Sequence, residues 1–324
     1  MGQIFEHEVV IVGAGPAGMC AAMYTGRAML DAVVLERGFP GGELLNTELV
    51  EDYPGFETIL GSELAQKFQE HAVKFGAQFK TGVTVDAVRK RADGMFEVTT
   101  DAGDTYVSPT VIITAGGTPV KLGVPGELEY AGKGVSYCAI CDGAFFRNHT
   151  IAVVGGGDAA AEEADFLTRY ASKVYLIHRR GELRASKILQ QRLFANPRIE
   201  PIWDTVVERI EGDGQGLMRS LTLRHVKTNA VRALEATGLF VFIGFKPNSG
   251  IIQGHVDHDE MGYLRTDANM QTNIPGLFAA GDLRAQLTRQ VTTAVGDATT
   301  AAIAAEKYLK ARKDHAVRDG GVAA

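Results

Sequence analysis

The chain has 324 residues, more than the roughly 250–300 at which one hydrophobic core stops growing, so two domains are expected. Apolar residues make up 45% and charged residues 22%, which excludes a disordered chain, a collagen and a small disulfide scaffold. Lys and Arg (33) against Asp and Glu (39) leave −6, a mildly acidic balance that argues against nucleic acid or an anionic membrane as partner.

His7 to Val12 is a short β-branched run that ends in Gly13-Ala14-Gly15-Pro16-Ala17-Gly18, followed by an Ala- and Met-rich helical segment. A second strand, Ala32 to Leu35, stops at Glu36, close to the spacing of about 20 residues at which an acid meets a ribose. Glycine is needed where the backbone turns tightly, approaches a pyrophosphate and packs helix on strand, and the helix amino terminus offers N–H donors to the anion. Strand, turn, helix and acid agree, so a dinucleotide reading outranks a structural turn with a solvated Glu. Met95 to Thr100 and Thr105 to Val107, around Asp101-Ala102-Gly103-Asp104, read as a small antiparallel meander. Thr114-Ala115-Gly116-Gly117-Thr118-Pro119 has the composition of a hinge where the chain leaves the first domain.

Cys138-Ala139-Ile140-Cys141 holds two of the three cysteines, so a secreted disulfide framework is excluded and one redox pair is not. The spacing suits a small disulfide that exchanges with another. A zinc half-site is the rival, but no second Cys pair and no complementary histidines accompany it, and no metal is expected. Asp142, next to the second sulfur, is placed to move a proton, or is a plain turn acid. Cys20, among Ala and Met in the first helix, reads as a buried inert thiol.

Thr150 to Val154, Gly155-Gly156-Gly157-Asp158-Ala159-Ala160, a helical Ala161 to Tyr170 and a strand from Lys173 to Ile177 repeat the first pattern. This copy ends in His178-Arg179-Arg180, with Arg184 beyond, rather than in an acid. Guanidinium groups pair bidentately with phosphate, so a 2′-phosphate and NADPH are favoured over NADH; a solvated basic strand end is the alternative. Leu217 to Val226 reads as a second meander, and Gly244-Phe245-Lys246-Pro247-Asn248 as the return crossing. His255 to Glu260 reads as a solvated loop rather than a metal cluster. Gly276 to Ala280 is an apolar strand stopping at Gly281-Asp282, and Arg289-Gln290 opens an Ala-rich helix. Such an acid suits a ribityl hydroxyl and such a helix end the flavin pyrimidine edge, which favours FAD in the first fold. The chain after Ala316 has no apolar period and is expected to be loose.

The fold expected is therefore α/β, with two Rossmann-like dinucleotide-binding domains of three ββα layers, the second inserted in the first. The FAD-binding domain takes residues 1–117 and 247–324, and the NADPH-binding domain, with the Cys pair, 118–246. No stretch approaches the roughly 20 apolar residues of a membrane span, and no basic segment precedes the first apolar run, so a cytoplasmic location away from membranes is expected.

Together these residues, with Gly41-Gly42 and Tyr53-Pro54-Gly55, resemble the low-molecular-weight thioredoxin reductases of the pyridine nucleotide-disulfide oxidoreductase family from about Glu6 to Lys310. The resemblance implies a homodimeric flavoenzyme that moves electrons from NADPH through FAD to Cys138–Cys141 and on to thioredoxin. It implies Cys141 against the flavin, Cys138 as the thiol that attacks thioredoxin, and rotation of the inserted domain between half-reactions. Beyond the residues already named, it implies FAD contacts from Arg37, Glu43, Leu44, Asn46, Asp52, Val85 and Val291, with Gly116 at the crossing. For NADPH it adds Glu163, Ile243 and Gly244 to the glycine turn. Lys133, Phe145 and Phe146 are the implied thioredoxin contacts. Glu43 and Asp52 stand where Gln and Asn are usual, which places acids beside the flavin. A ferredoxin-linked thioredoxin reductase or a flavin dithiol oxidase of the same fold is the alternative, against which Arg179, Arg180 and Arg184 count.

Overall fold

A computed structural model describes residues 2–320 apart from Glu48, and the side chains of Leu49, Cys141, Phe245 and residues 315–320 lie outside what is described. The chain forms two compact units, Met1–Thr118 with Lys246–Ala324, and Pro119–Phe245.

In the first unit a five-stranded parallel sheet runs in the order Leu277–Ala279, Thr110–Ile113, Val9–Val12, Ala32–Glu36, Gln78–Thr81. Val9–Val12 is buried along its whole length, as a strand covered on both faces must be, and this is why it reads as an unbroken apolar run. Val9, Ile11 and Val34 face the helices Pro16–Arg27 and Val291–Gly320, whose contact stripe is alanine: Ala17, Ala21, Ala298, Ala301 and Ala305. Small side chains let both helices approach the sheet closely. Val10, Val12, Val33 and Leu35 face the other way, against Val88, Phe96, Val98 and Tyr106 of a second sheet. That sheet runs Ile4–Glu6, Thr105–Ser108, Phe96–Thr100, Val85–Lys90, Ile252–Gln253, with antiparallel pairing inside and parallel pairing at both edges.

The second unit repeats the plan. Its parallel sheet is ordered Val135–Ser136, Gly238–Phe242, Thr150–Gly155, Lys173–Ile177, Ile199–Ile202. Asp158–Leu167 and Lys187–Ala195 cover one face, and the meander Thr205–Gly212, Met218–His225, Val231–Glu235 covers the other. Each unit is thus sheet, sheet and helix in three layers. At the crossings, Gly117–Pro119 and Phe245–Pro247 pair in a two-stranded ladder, extended by Val120 N–H donating to Gly244 O at 2.8 Å.

Two sequence expectations change. The second glycine turn leads into a helix at Asp158, not Ala161, because Gly157 is itself the N-cap, and residues after Leu167 close as a turn. The tail expected to loosen after Ala316 stays helical to Gly320; Lys313 pairs with Glu8 at 2.6 Å and Arg312 donates to Gly94 O at 3.1 Å, which anchors the turns before it. Residues 321–324 lie outside those described. Among the described residues no helix is long and apolar enough to cross a membrane.

Candidate functional site

The first glycine turn sits at the carboxyl end of Val9–Val12, where the strand order of the sheet reverses, the position at which open α/β sheets bind ligands. Gly13 has φ 102°, and a Cβ there would lie 2.7 Å from Thr114 O. Gly15 is the helix N-cap, Pro16 opens the helix and Ala17 is buried. Gly18 is the tightest contact, because a Cβ would lie 1.8 Å from Gly13 O. Gly18→Ala should therefore cost about 1–3 kcal/mol by overpacking against backbone, read as a lowered urea midpoint. Gly41 N–H donates to Ala14 O at 2.8 Å, and Gly42, at φ 56°, brings its Cα against Gly15. The 41–42 loop and the 13–18 turn therefore form one cradle.

Glu36 accepts from Ala14 N–H at 2.7 Å and from Gly38 N–H at 2.8 Å, so its carboxylate braces the turn. Beyond the cradle, Leu44 is buried, Asn46 donates to Glu43 at 3.3 Å, and Arg37 is exposed with its charge felt at Glu43. Asp52 lies exposed in a bend, and Val85 packs on the inter-sheet core. Gly116, at φ 55°, is held by Asn248, whose N–H donates to its carbonyl at 2.9 Å.

Across the cradle lies an acidic group. Burial pushes the Asp282 carboxyl up to about 6; Arg289 works against that, while the charges of Glu43 and Asp297 reinforce it. Burial also raises Glu43, opposed by Asn46 and Arg37, although solvent still reaches this side chain. The sign follows for stability. The folded chain holds the Asp282 proton to about 6 against an ordinary 3.8, so folding loses stability as pH rises from about 4 through 6. Cofactor-free Asp282→Asn should therefore melt above wild type at pH 7.5, with the gap closing as pH falls to 4; a gap constant with pH would refute this.

Several supporting residues were not singled out from sequence. Asp297 pairs with Arg284 at 2.7 Å, both nearly buried, and accepts from Gly281 N–H at 3.1 Å. Gln286 donates to Gly281 O at 3.1 Å, and Thr114 Oγ1 donates to the carbonyls of Val12 and Gly13. Asp297 had one available signal, an acid on an otherwise Ala- and Thr-rich helix. Arg289 stacks over the Tyr263 ring at 3.9 Å. Gln290 accepts from Ala294 N–H at 3.0 Å and so leads into the helix that begins at Val291.

In the second unit Gly155 packs against Ala160, and a Cβ on it would meet Phe242 O at 2.3 Å. Gly157 is the N-cap with open space around it, and Asp158 accepts from Ser186 N–H at 2.6 Å. Ala159 is exposed and Glu163 half-buried on the same helix. His178, expected among the NADPH ligands, is 7% exposed, and a Cβ on Gly156 would overlap its ring at 2.2 Å. Burial pushes its pKa down, against backbone hydrogen bonds at Gly155 and Glu182, and Nε2 has no partner among the described residues. Arg184 N–H donates to Gly156 O at 2.7 Å, which brings the arginine loop to the turn. Arg179, Arg180 and Arg184 are exposed, and none has a carboxylate partner among the described residues. Ile243 and Gly244, at φ 120°, lie at the crossing.

The redox turn begins where Val135–Ser136 ends. Cys138 is disulfide-bonded and half-buried, while the side chain of its expected partner Cys141 lies outside those described. Cys20 is a free, buried thiol whose pKa burial raises. Ala139–Asp142 is one helical turn, closed by Asp142 N–H donating to Cys138 O at 3.3 Å, and the Asp142 side chain is half-buried. Gly143 packs where a Cβ would press on Leu167 and Tyr170. Lys133 and Phe145 are exposed, Phe145 to 76%, but Phe146 packs on Phe240 in the core and offers little surface.

Residues 7–298 match the pyridine nucleotide-disulphide oxidoreductase family. The chain belongs to that family. Its relatives are thioredoxin reductases: it is 45% identical over 309 residues, 95% of each chain, to that of Listeria innocua, and 45% identical over 305 residues, 94% of this chain and 95% of the other, to that of Bacillus subtilis. The crystal structure of Lactococcus lactis thioredoxin reductase in the FR conformation superposes with a TM-score of 0.91 at 44% identity, covering 94% of this chain and 99% of that one. Family membership makes the chain an oxidoreductase and a flavoprotein, and thioredoxin reductases of this family use FAD and NADPH.

The residues present fit both groups. Neither Gly15 nor Gly157 carries a capping side chain, so the N–H groups behind them are free for phosphate. The helix behind Gly15 has no acid in its first turn, and the one acid behind Gly157, Asp158, is already engaged by Ser186.

Proposed function

We propose that this chain is an NADPH-dependent flavoenzyme that reduces the disulfide of thioredoxin through the Cys138–Cys141 pair. The observation that carries the reading is that one unit holds both the Cys138 disulfide and, beside its glycine turn, three arginines without carboxylate partners among the described residues. Gly13, Gly15, Gly18, Gly41, Gly42, Glu36 and Asp282 hold FAD, and the Gly155–Ala160 turn with Arg179, Arg180 and Arg184 holds NADPH. FAD, when bound, supplies a two-electron relay between a nicotinamide and a disulfide.

Starting from the reduced pair, the Cys138 thiolate attacks one sulfur of the thioredoxin disulfide and expels the other as thiolate. The Cys141 thiolate then attacks Cys138 Sγ, re-forms the enzyme disulfide and releases dithiol thioredoxin, so two electrons and two protons reach the substrate. Asp142, next to Cys141 in the chain, carries the proton at that sulfur. Rotation of the inserted unit between half-reactions turns on Gly116 and Gly244, whose positive φ values mark backbone that only glycine adopts readily. The enzyme is a cytoplasmic homodimer in this reading, with Lys133 and Phe145 facing thioredoxin.

The ferredoxin-linked and dithiol-oxidase alternatives have no use for a 2′-phosphate clamp. Anaerobic titration of the yellow protein with NADPH and with NADH separates the readings. Bleaching of the flavin band by NADPH, with little response to NADH, is expected. No bleaching by either would overturn NADPH dependence.

A further inference from the structure

Glu127 is 1% exposed, yet among the described residues no cation pairs with its carboxylate. A buried carboxylate is costly unless its oxygens are taken up by donors. Here three donors converge: Leu122 N–H at 2.8 Å and Tyr137 O–H at 2.7 Å on Oε1, and Gly123 N–H at 2.6 Å on Oε2. Burial and the Glu127 charge push the Tyr137 phenol up, so it remains a protonated donor at any working pH.

Tyr137 is the residue before Cys138. On its other side, Ser136 Oγ accepts from Cys138 N–H at 3.0 Å and donates to Cys138 O at 3.1 Å. The same carbonyl accepts from Asp142 N–H. The two neighbours of Cys138 are set in different cores: Tyr137 packs with the meander-side cluster, and Ala139 is fully buried in the helix-side cluster. The backbone at Cys138 is therefore fixed at its amide, at its carbonyl and at both adjacent side chains.

We propose that Glu127 and Tyr137 are positioning residues for the redox turn, holding the Cys138 backbone in one place whether the disulfide is closed or open. This rests on the reading of Cys138 as the exchanging thiol. A pinned pair has a high effective concentration of one thiol at the other, which favours disulfide closure and makes the dithiol a stronger reductant. Loosening the pin shifts that balance toward the dithiol.

The test is Tyr137→Phe in the holoenzyme, which removes one hydroxyl and keeps the ring, with Glu127→Gln as the second variant. The Cys138 disulfide is equilibrated against dithiothreitol buffers, acid-quenched, alkylated and read by mass at the Cys138 peptide. Expected for Tyr137→Phe is a tenfold shift toward dithiol, about 30 mV for a two-electron couple. Thioredoxin turnover falls about tenfold, while flavin reduction by NADPH and the melting temperature hold within twofold and about 3 °C. Glu127→Gln moves the equilibrium in the same direction. An unchanged dithiol equilibrium overturns the proposal, as does a loss of all activities in proportion to melting temperature, which would mark a fold defect. If wild type reduces no thioredoxin while the equilibrium still shifts in the variant, the functional reading fails and the positioning role stands.

Discussion

Cys138→Ser is expected to lower thioredoxin reduction on the order of 10³-fold or more, because the thiol proposed to form the bond to substrate is gone. A hydroxyl neither attacks a disulfide at neutral pH nor closes one with Cys141. The variant should still bind FAD and bleach with NADPH at close to the wild-type rate, since neither glycine turn includes residue 138. Stopped-flow flavin reduction beside steady-state thioredoxin turnover separates the two half-reactions. Persistent turnover would move the attacking role off Cys138.

Replacing Arg179 and Arg180 together by Ala should raise the KM for NADPH about 10²-fold, taking at least about 1.5 kcal/mol for each charge-assisted contact and 1.4 kcal/mol per tenfold. Neither guanidinium has a carboxylate partner among the described residues, so each is available to an arriving phosphate. NADH lacks the 2′-phosphate, and its KM should move less than threefold. The NADPH preference of wild type should also weaken with added salt, since the side chains are exposed. Equal effects on the two nucleotides would remove the 2′-phosphate argument.

What the sequence reveals and what it hides divide along physical lines. Gly13 and Gly18 were legible because backbone geometry admits no Cβ there, and Val9–Val12 because a doubly covered strand must be apolar throughout. The supporting residues were not. Asp297 meets Arg284 and Gly281 from a helix with no period pointing to them. Asn248 fastens Gly116 from 132 positions away, and Glu127 reads in sequence as one more acid in a Gly-rich loop. At His178 the sequence places the residue beside two arginines but does not show that its ring fills the space under Gly156. Adjacency in the chain says little about which way a side chain turns at a strand end.

The ladder of Gly117–Pro119 with Phe245–Pro247 bears on how the protein comes off the ribosome. The host's last parallel strand, Leu277–Ala279, and its closing helix are made only after the whole insert. While the insert is unstructured, joining the two halves of the host means closing a loop of roughly 130 residues, against a gap of a few residues once the insert has folded, a difference of about 3 kcal/mol in chain entropy. Folding of the middle segment thus brings the two ends of the host together, and the unit that begins first along the chain is completed last.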